Sequence, residues 1–454
     1  MKQQRIRFIY NVSDDVQTDQ NDYNEDNNNN NEIINVNTSI SVLLIVCDRL
    51  SLIQSTLNQL KSIKDETIAS FQNRYNNNNE TNINGHNILQ MMINMPIFVS
   101  QDCGDENVHE LIEKYVNDSV VQQHYTFPLQ NKPINIKYKK FRGYVKVSRH
   151  YKWAINKIFR TYPIIDKLII VEDDLNFSPD FFEYFLTLST LLDNDNRIYC
   201  ISAWNDNGKD HLINHSAISL LYLTDFFPGL GWMLKRSFWY EIKDKWPDVF
   251  WDDWLRQSEQ RKNRLCIRPE LSRTSTSGMK GVSRGQFFKQ HLSFIHHFDR
   301  YFPFFQHQNN IVDQLYPENY DQKFLYQVYN KSQDIHPVAL KKMDPIYVNK
   351  NIHSSYRLTY YTKNEFIEYA SMFGLMNDIK YGVPRTAYKG IISFMYNGLR
   401  IYLSPPVTLL CQIKKIMMIV FIKQMLKLER RVYLAIITVE FDNETMIFDQ
   451  IFRK

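Results

Sequence analysis

Cysteine is scarce and scattered in this chain. Its 454 residues include five, Cys47, Cys103, Cys200, Cys266 and Cys411, with no CxxC pair among them, and that spacing argues against a zinc site. Neither charge sign dominates: 54 Lys and Arg stand against 49 Asp and Glu, net +5, with no basic block, a balance that does not argue for nucleic acid. The phosphate-cradling pattern GxxxxGK followed by Ser or Thr is absent. The start, MKQQRIRFIYNVSDD, is basic but lacks the apolar centre of a signal peptide. Residues 391–422 are apolar, yet Arg400, Lys414 and Lys415 interrupt them well short of the roughly 20 apolar residues a membrane span needs. The expectation is therefore a soluble chain with no visible anchor.

A hydrophobic share of 44% with 14% aromatics is globular, and the length exceeds one typical core, so two domains plus tails are expected. Residues 1–38, with NDYNEDNNNNN at 21–31, read as a disordered leader. A buried strand at 41–47 precedes a helix with Leu52, Ile53, Leu57 and Leu60 on one face. Residues 75–87 read as a low-complexity loop, 96–101 as a second strand, 134–139 as a third, and 150–162 as a helix. Further strands are expected at 198–201 and 219–223, with the turn-rich loop AWNDNGKD between them. Strands alternating with helices indicate an α/β fold, here at 39–299, followed by a second domain at 300–406 and an extension of unknown role at 407–454. Sequons at Asn11, Asn37, Asn79, Asn117, Asn176, Asn214, Asn330 and Asn443 are compatible with secretion.

The chain is organised around residues 167–180, KLIIVEDDLNFSPD. The apolar run 168–171 suits a strand buried on both faces. Glu172, Asp173 and Asp174 then emerge at its C-terminal end, where open α/β sheets bind ligands. Ser178, Pro179 and Asp180 suit an N-cap, a first-turn proline and a first-turn acid of the next helix. Adjacent carboxylates repel, and a hard divalent cation relieves that; a solvated acidic turn is the ordinary alternative. In Trp251-Asp252-Asp253-Trp254, a ring can pack on a sugar's C–H face while a carboxylate acts as general base; core tryptophans beside helix-capping acids explain it equally well. Gly278 to Gly285 combine three glycines with Ser283, Lys280 and Arg284, a set able to hold phosphate oxygens or simply to form a surface loop. Taken singly, His150 is a structural histidine, Asp102 a turn acid and Arg49 half of a surface ion pair.

Together these stretches resemble one family. VCDR (46–49), VSQDCG (99–104), SRHYKWA (148–154), VEDDL (171–175), CISAWNDNGK (200–209), PGLGWML (228–234), FWDDWLR (250–256), RPELSR (268–273), KGVSRGQFF (280–288) and FGLMNDIKYGVPRTAYKGII (373–392) are similar to N-acetylglucosaminyltransferase I, the alpha-1,3-mannosyl-glycoprotein 2-beta-N-acetylglucosaminyltransferases. The similarity runs from about residue 41 to 406. It implies a GT-A nucleotide-diphospho-sugar transferase domain with a smaller C-terminal domain. The activity implied is transfer of GlcNAc from UDP-GlcNAc, with inversion, to the 2-hydroxyl of a mannose on a glycoprotein N-glycan. By the same resemblance Asp174 coordinates Mn²⁺, Asp173 holds the ribose and Glu172 faces the donor sugar. Asp102 and His150 contact the uracil, and Arg49 also serves the nucleotide. Ser283 binds the diphosphate, Trp251 and Leu230 line the sugar pocket, and Asp252 is the base. Cys47 would pair with Cys103 and Cys200 with Cys266. The family's members are type II Golgi membrane proteins, which sets the expectation for localisation. The competing readings are a β1,2-GlcNAc transferase acting on protein O-mannose and an inactive sugar-binding relative.

Overall fold

The computed structural model describes residues 39–76, 83–128, 133–278, 281, 285, 288–343 and 355–407. All of them lie in the second of the two units into which the chain divides, the one beginning at Val36. The leader 1–38, the extension from 408 onward with Cys411, and Ser283 lie outside the described residues.

Among the described residues, ten strands build the first part of the chain: β1 (Ile40–Val46), β2 (Ile97–Gln101), β3 (Gln123–Thr126), β4 (Lys167–Glu172), β5 (Leu175–Phe177), β6 (Ile198–Ser202), β7 (Leu221–Thr224), β8 (Trp232–Lys235), β9 (Leu265–Pro269) and β10 (Thr274–Thr276). Eight form one mixed sheet in the order β3-β2-β1-β4-β8-β6-β9-β7, while β5 and β10 pair separately as a short antiparallel ribbon. From β3 to β4 all neighbours are parallel, so their C-terminal ends share one edge. The helices are α1 (Leu50–Asn76), α2 (Ile83–Ile93), α3 (Glu106–Asn117), α4 (Arg142–Thr161), α5 (Phe181–Asn194), α6 (Arg236–Ile242) and α7 (Trp251–Leu255). Among the described residues no helix is long and apolar enough to cross a membrane.

The period-two alternation of a strand shows directly in the two cores. Val42, Leu44, Ile169 and Val171 join Ile53, Leu57 and the α5 phenylalanines on one face. Leu43, Ile45, Leu168 and Ile170 join Ala154, Ile155 and Ile158 of α4 on the other. Each such buried side chain contributes roughly 1.5–3 kcal/mol, which fixes the position of β4 and hence of the acids that follow it. Both disulfides that the resemblance implies are formed. Cys47–Cys103 joins the ends of β1 and β2, and Cys200–Cys266 joins paired positions of β6 and β9.

A second sheet has the order β11-β12-β16-β15, built from β11 (Gln333–Asp334), β12 (Ser355–Thr359), β15 (Ile392–Tyr396) and β16 (Leu399–Ser404), beside a small pair β13 (Ile379–Lys380) and β14 (Val383–Pro384). It has its own apolar cluster around Leu358, Phe366, Phe394 and Ile401. Polar bonds, the first two buried, tie it to the first sheet's loops: Arg385 to Asp206 at 2.8 Å, Asn207 Nδ2 to Thr386 Oγ1 at 2.9 Å, and Arg400 to Glu270 at 2.7 Å.

Four local expectations change. Residues 134–139 form no strand: 136–141 make a 3₁₀ turn with no buried residue, begun by Asn135 accepting from Lys137 N, so their alternation had no core face to serve. The third strand is Gln123–Thr126, whose polar QHYT hides it. Ser178 does not cap α5, because its hydroxyl donates to Phe298 O and the helix starts after Asp180. The stretch 203–209 is buried throughout, since Asn205, Asp206 and Asn207 spend their polar groups inside the molecule. Of the expected loop 75–87, residues 75–76 end α1 and 83–87 begin α2, and 77–82 lie outside the described residues.

Asp180 and Arg273 form an ion pair with both side chains 0% exposed. Burial pushes the Asp180 carboxyl up to about 6 although Arg273 opposes it. The pair joins the chain just after β5 to the residue just before β10. Arg273→Leu strands a buried carboxylate and is expected to cost about 3–5 kcal/mol in urea unfolding; a loss near zero would show that the pair does not hold the ribbon.

Candidate active site

The ends of β1, β2 and β4 gather five of the expected site residues along one edge. Val46 pairs with Gln101 and Ile45 with Glu172, so Arg49, Asp102 and the acid triplet all emerge there. Asp102 N donates to Val46 O, and the Asp102 carboxylate accepts from Cys103 N, a tight turn closed beneath by the disulfide. Arg49 donates to the carboxylates of both Asp173 and Asp174, the latter at 2.9 Å.

The three acids have different surroundings. Glu172 accepts from the Tyr151 hydroxyl at 2.5 Å, and burial, then the Asp174 charge, raises its pKa. Asp173 is 2% exposed, and burial pushes it up to about 6 against the pull of Arg49. Arg49 is itself raised: burial opposes its charge, but Asp173 and Asp174 outweigh it. Both partners rise because Asp173 loses more hydration than one shared guanidinium replaces. Asp173 Oδ2 has no hydrogen-bond partner among the described residues. Asp174 is the more open carboxylate of the Arg49 pair, 15% exposed.

The ribbon β5–β10 adds what linear order hides. Thr276 pairs with Leu175, Ser277 N donates to Asp174 O at 2.9 Å, and Gly278 N donates to Thr276 Oγ1 at 3.1 Å. The backbone of Gly278 therefore passes so close to Asp174 that a Cβ there would overlap its carboxylate. The first glycine of the 278–285 stretch and the last acid of the triplet are one place in the fold. Ser283, expected to bind the diphosphate, lies outside the described residues.

The aromatic wall is continuous with the acids. Tyr151, which holds Glu172, stacks on Trp251 at 4.4 Å, and Trp251 stacks on Trp246 and Trp232 at 5.5 and 5.9 Å. Phe250, left-handed with φ 52°, turns the chain sharply into α7 and packs its ring on Phe141 and Tyr144. Leu230 is also left-handed, between Gly229 and Gly231, and its carbonyl accepts from Thr274 Oγ1 at 2.7 Å, which binds this bend to β10. Asp252 is 44% exposed and shares Arg256 with Asp253 at 2.8 and 2.7 Å. Asp253 also meets Lys380; burial works against its charge, but Arg256 and Lys380 hold it below the usual carboxylate range.

His150 stands apart from this wall. It is buried, its Nε2 is 2.7 Å from Ser100 Oγ, and its ring stacks on Phe127. Ser100 lies two residues before Asp102, so the histidine supports the end of β2. Two contributors went unassigned in the sequence. Arg256 carries a visible signal, its i+4 spacing from Asp252 on a helix. Tyr151 carries none beyond helical periodicity, because only the fold aims its hydroxyl at Glu172.

The GNT-I family matches residues 90–415, about seven tenths of the chain. The chain belongs to this family. It is similar to the alpha-1,3-mannosyl-glycoprotein 2-beta-N-acetylglucosaminyltransferase of Arabidopsis thaliana, 39% identical over 299 residues, which are 66% of this chain and 64% of that protein. The match thus spans somewhat less than two thirds of that relative. Among solved structures, a glycosyltransferase involved in the glycosylation of the major capsid of PBCV-1 aligns over 45% of this chain and 64% of its own, at 10% identity and a TM-score of 0.19; that likeness carries no argument. The family match takes in the acid triplet, the Trp251 wall and Gly278, and leaves out β1 and Arg49.

Two outcomes follow from the geometry. Gly278→Ala is expected to displace the Asp174 carboxylate and weaken binding of a ligand that needs it by at least about tenfold (about 1.4 kcal/mol) with little change in thermal unfolding; unchanged binding would place the ligand elsewhere. Burial lowers the His150 pKa to about 3, whereas an unfolded histidine titrates near 6.5. Between those values the unfolded state takes up a proton that the folded state refuses, so stability falls as pH drops below about 6.5, at up to about 1.4 kcal/mol per pH unit. His150→Gln should show a shallower loss of urea midpoint from pH 7 to 5 than the parent chain, and parallel curves would refute the assignment.

Proposed function

We propose that this protein is an inverting glycosyltransferase of the GT-A fold that moves GlcNAc from UDP-GlcNAc to the 2-hydroxyl of a mannose on an N-glycan. The observation that carries this reading is the junction of Asp174 and Gly278 beside Arg49 at the parallel strand ends. A carboxylate, a guanidinium and a glycine backbone meeting there suit a diphosphate and the cation that accompanies it. Family membership and the name of the Arabidopsis relative support the sugar and the acceptor.

The donor set fits a hard divalent ion such as Mn²⁺. Asp174 is the accessible oxygen donor, Asp173 has a buried oxygen without a hydrogen-bond partner among the described residues, and Glu172 is engaged by Tyr151. Asp174 would hold the metal, exchanging its Arg49 contact for it. Bound there, Mn²⁺ supplies Lewis-acid neutralisation of the diphosphate. The chain's own residues do the rest. Asp102 and the β2 end receive the base, Asp173 the ribose, and Glu172 with the Trp251 wall and Leu230 the sugar. Asp252 accepts the proton of the mannose 2-hydroxyl as its oxygen attacks the anomeric carbon from the face opposite UDP. A carbon–oxygen bond forms, the bond to the diphosphate oxygen breaks with its electron pair, and UDP leaves. Arg256 fixes the direction of the Asp252 carboxylate. The two disulfides support an oxidising, lumenal compartment such as the Golgi.

With Mn²⁺ and UDP-GlcNAc supplied, Asp252→Asn is expected to keep donor binding and lose transfer by about 10²–10⁴-fold, while Asp174→Ala loses the metal-dependent part of donor binding. Offered a Man₅ N-glycan and an O-mannosyl peptide, the parent chain should use the glycan. Full transfer by Asp252→Asn would remove the base assignment, and preference for the peptide would overturn the acceptor.

A further inference from the structure

A second group of metal-ligating side chains lies on the opposite face of the sheet from α4, with no part in the reaction above. Asp105 accepts from Val108 N and starts α3, so that His109 and Glu113, four residues apart, stand on one face of the helix. The third member, His124, is on β3, the edge strand. Alternation along β3 settles its direction: Tyr125 packs with the α4-side cluster, so His124 points to the other face, towards α3. One ligand atom from each of His109, Glu113 and His124 lies within 4.8 Å of the others. His124 Nδ1 is 2.8 Å from Glu113 Oε1, and the two imidazole centroids are 4.9 Å apart.

One further observation points to a ligand. His124 is 8% exposed and its Nε2 has no hydrogen-bond partner among the described residues, an expensive way to bury an imidazole. His109 and Glu113 are only half-buried, leaving the group open to solvent on one side.

We propose that His109, Glu113 and His124 form a binding site for a divalent transition cation of the zinc type, which clamps α3 to the edge strand β3. Two imidazoles and a carboxylate suit Zn²⁺ rather than Ca²⁺ or Mg²⁺, with water completing a tetrahedron. Zn–N bonds of about 2.0–2.1 Å require the three donors to draw together from their present spacing. Cysteine spacing argues against a zinc site, but these ligands are histidines and a glutamate divided between a helix and a strand. The cation here is structural: it strengthens the fold by favouring the folded state and takes no part in transfer.

The test is calorimetric titration with Zn²⁺ alone, together with thermal unfolding, on the full chain carrying Asp174→Ala to remove the donor-site carboxylate. The expected result is a tight equivalent with a dissociation constant below about 10 μM and a Zn²⁺-dependent rise in unfolding temperature. His109→Asn with Glu113→Gln, both on the helix surface, should weaken that equivalent at least about tenfold and abolish the rise, with unchanged circular dichroism without metal. Asp210→Asn, in the more exposed group of Asp210, His215 and His296, should leave both intact. No tight equivalent in the parent, or the same binding in the double variant, would overturn the proposal, as would loss of it in Asp210→Asn.

Discussion

Three residue pairs hold this site together: Thr274 with Phe177, Ser275 with Asn176, and Thr276 with Leu175. The ribbon they form lies outside the main sheet, yet it decides where the acidic turn meets the glycine stretch. On one side it continues β4 past its acids; on the other it delivers Gly278 against Asp174. Its anchor is the buried pair Asp180 and Arg273, with Arg273 also donating to Leu271 O and Ile218 O. A charge pair of this kind adds little net stability but is costly to break, which suits a device whose task is register rather than strength.

From that constraint the electrostatics follow. Three adjacent carboxylates could not share one environment without severe repulsion, and the fold gives each a different one. Tyr151 takes Glu172, burial takes Asp173, and Asp174 is left partly open beside Arg49. Tyr151 then carries the arrangement outward to Trp251 and so to Asp252 on its five-residue helix. On the proposed reading the strand ends hold the donor, and the wall, fixed by Arg256, turns a base towards the acceptor.

Much of this was legible in the residues, for identifiable reasons. The runs 41–47 and 168–171 are apolar on both faces, and only a strand between two helical layers gives such a run a home. The acids at 172–174 and the motif order carried the family. What was hidden depends on contacts between distant segments. Nothing in QHYT announces a strand, because β3 is an edge with His124 as its buried position. The alternation at 134–139 misled because it met no core. The turn-rich string is buried over 203–209, since its asparagines and Asp206 find partners at Thr386, Glu270 and Arg385. The meeting of Gly278 with Asp174, 104 positions apart in the sequence, was beyond any local pattern.

The central claim is that Asp174 and Gly278 together mark the place of the donor's diphosphate. The most direct measurement is a crystal structure of the protein with Mn²⁺ and UDP-GlcNAc. The account predicts a metal on Asp174 and on diphosphate oxygens, with Arg49 released from that carboxylate, the diphosphate beside Gly278 and Asp252 facing the anomeric carbon. A diphosphate bound away from the β4 end, with the Arg49–Asp174 pair intact, would contradict it.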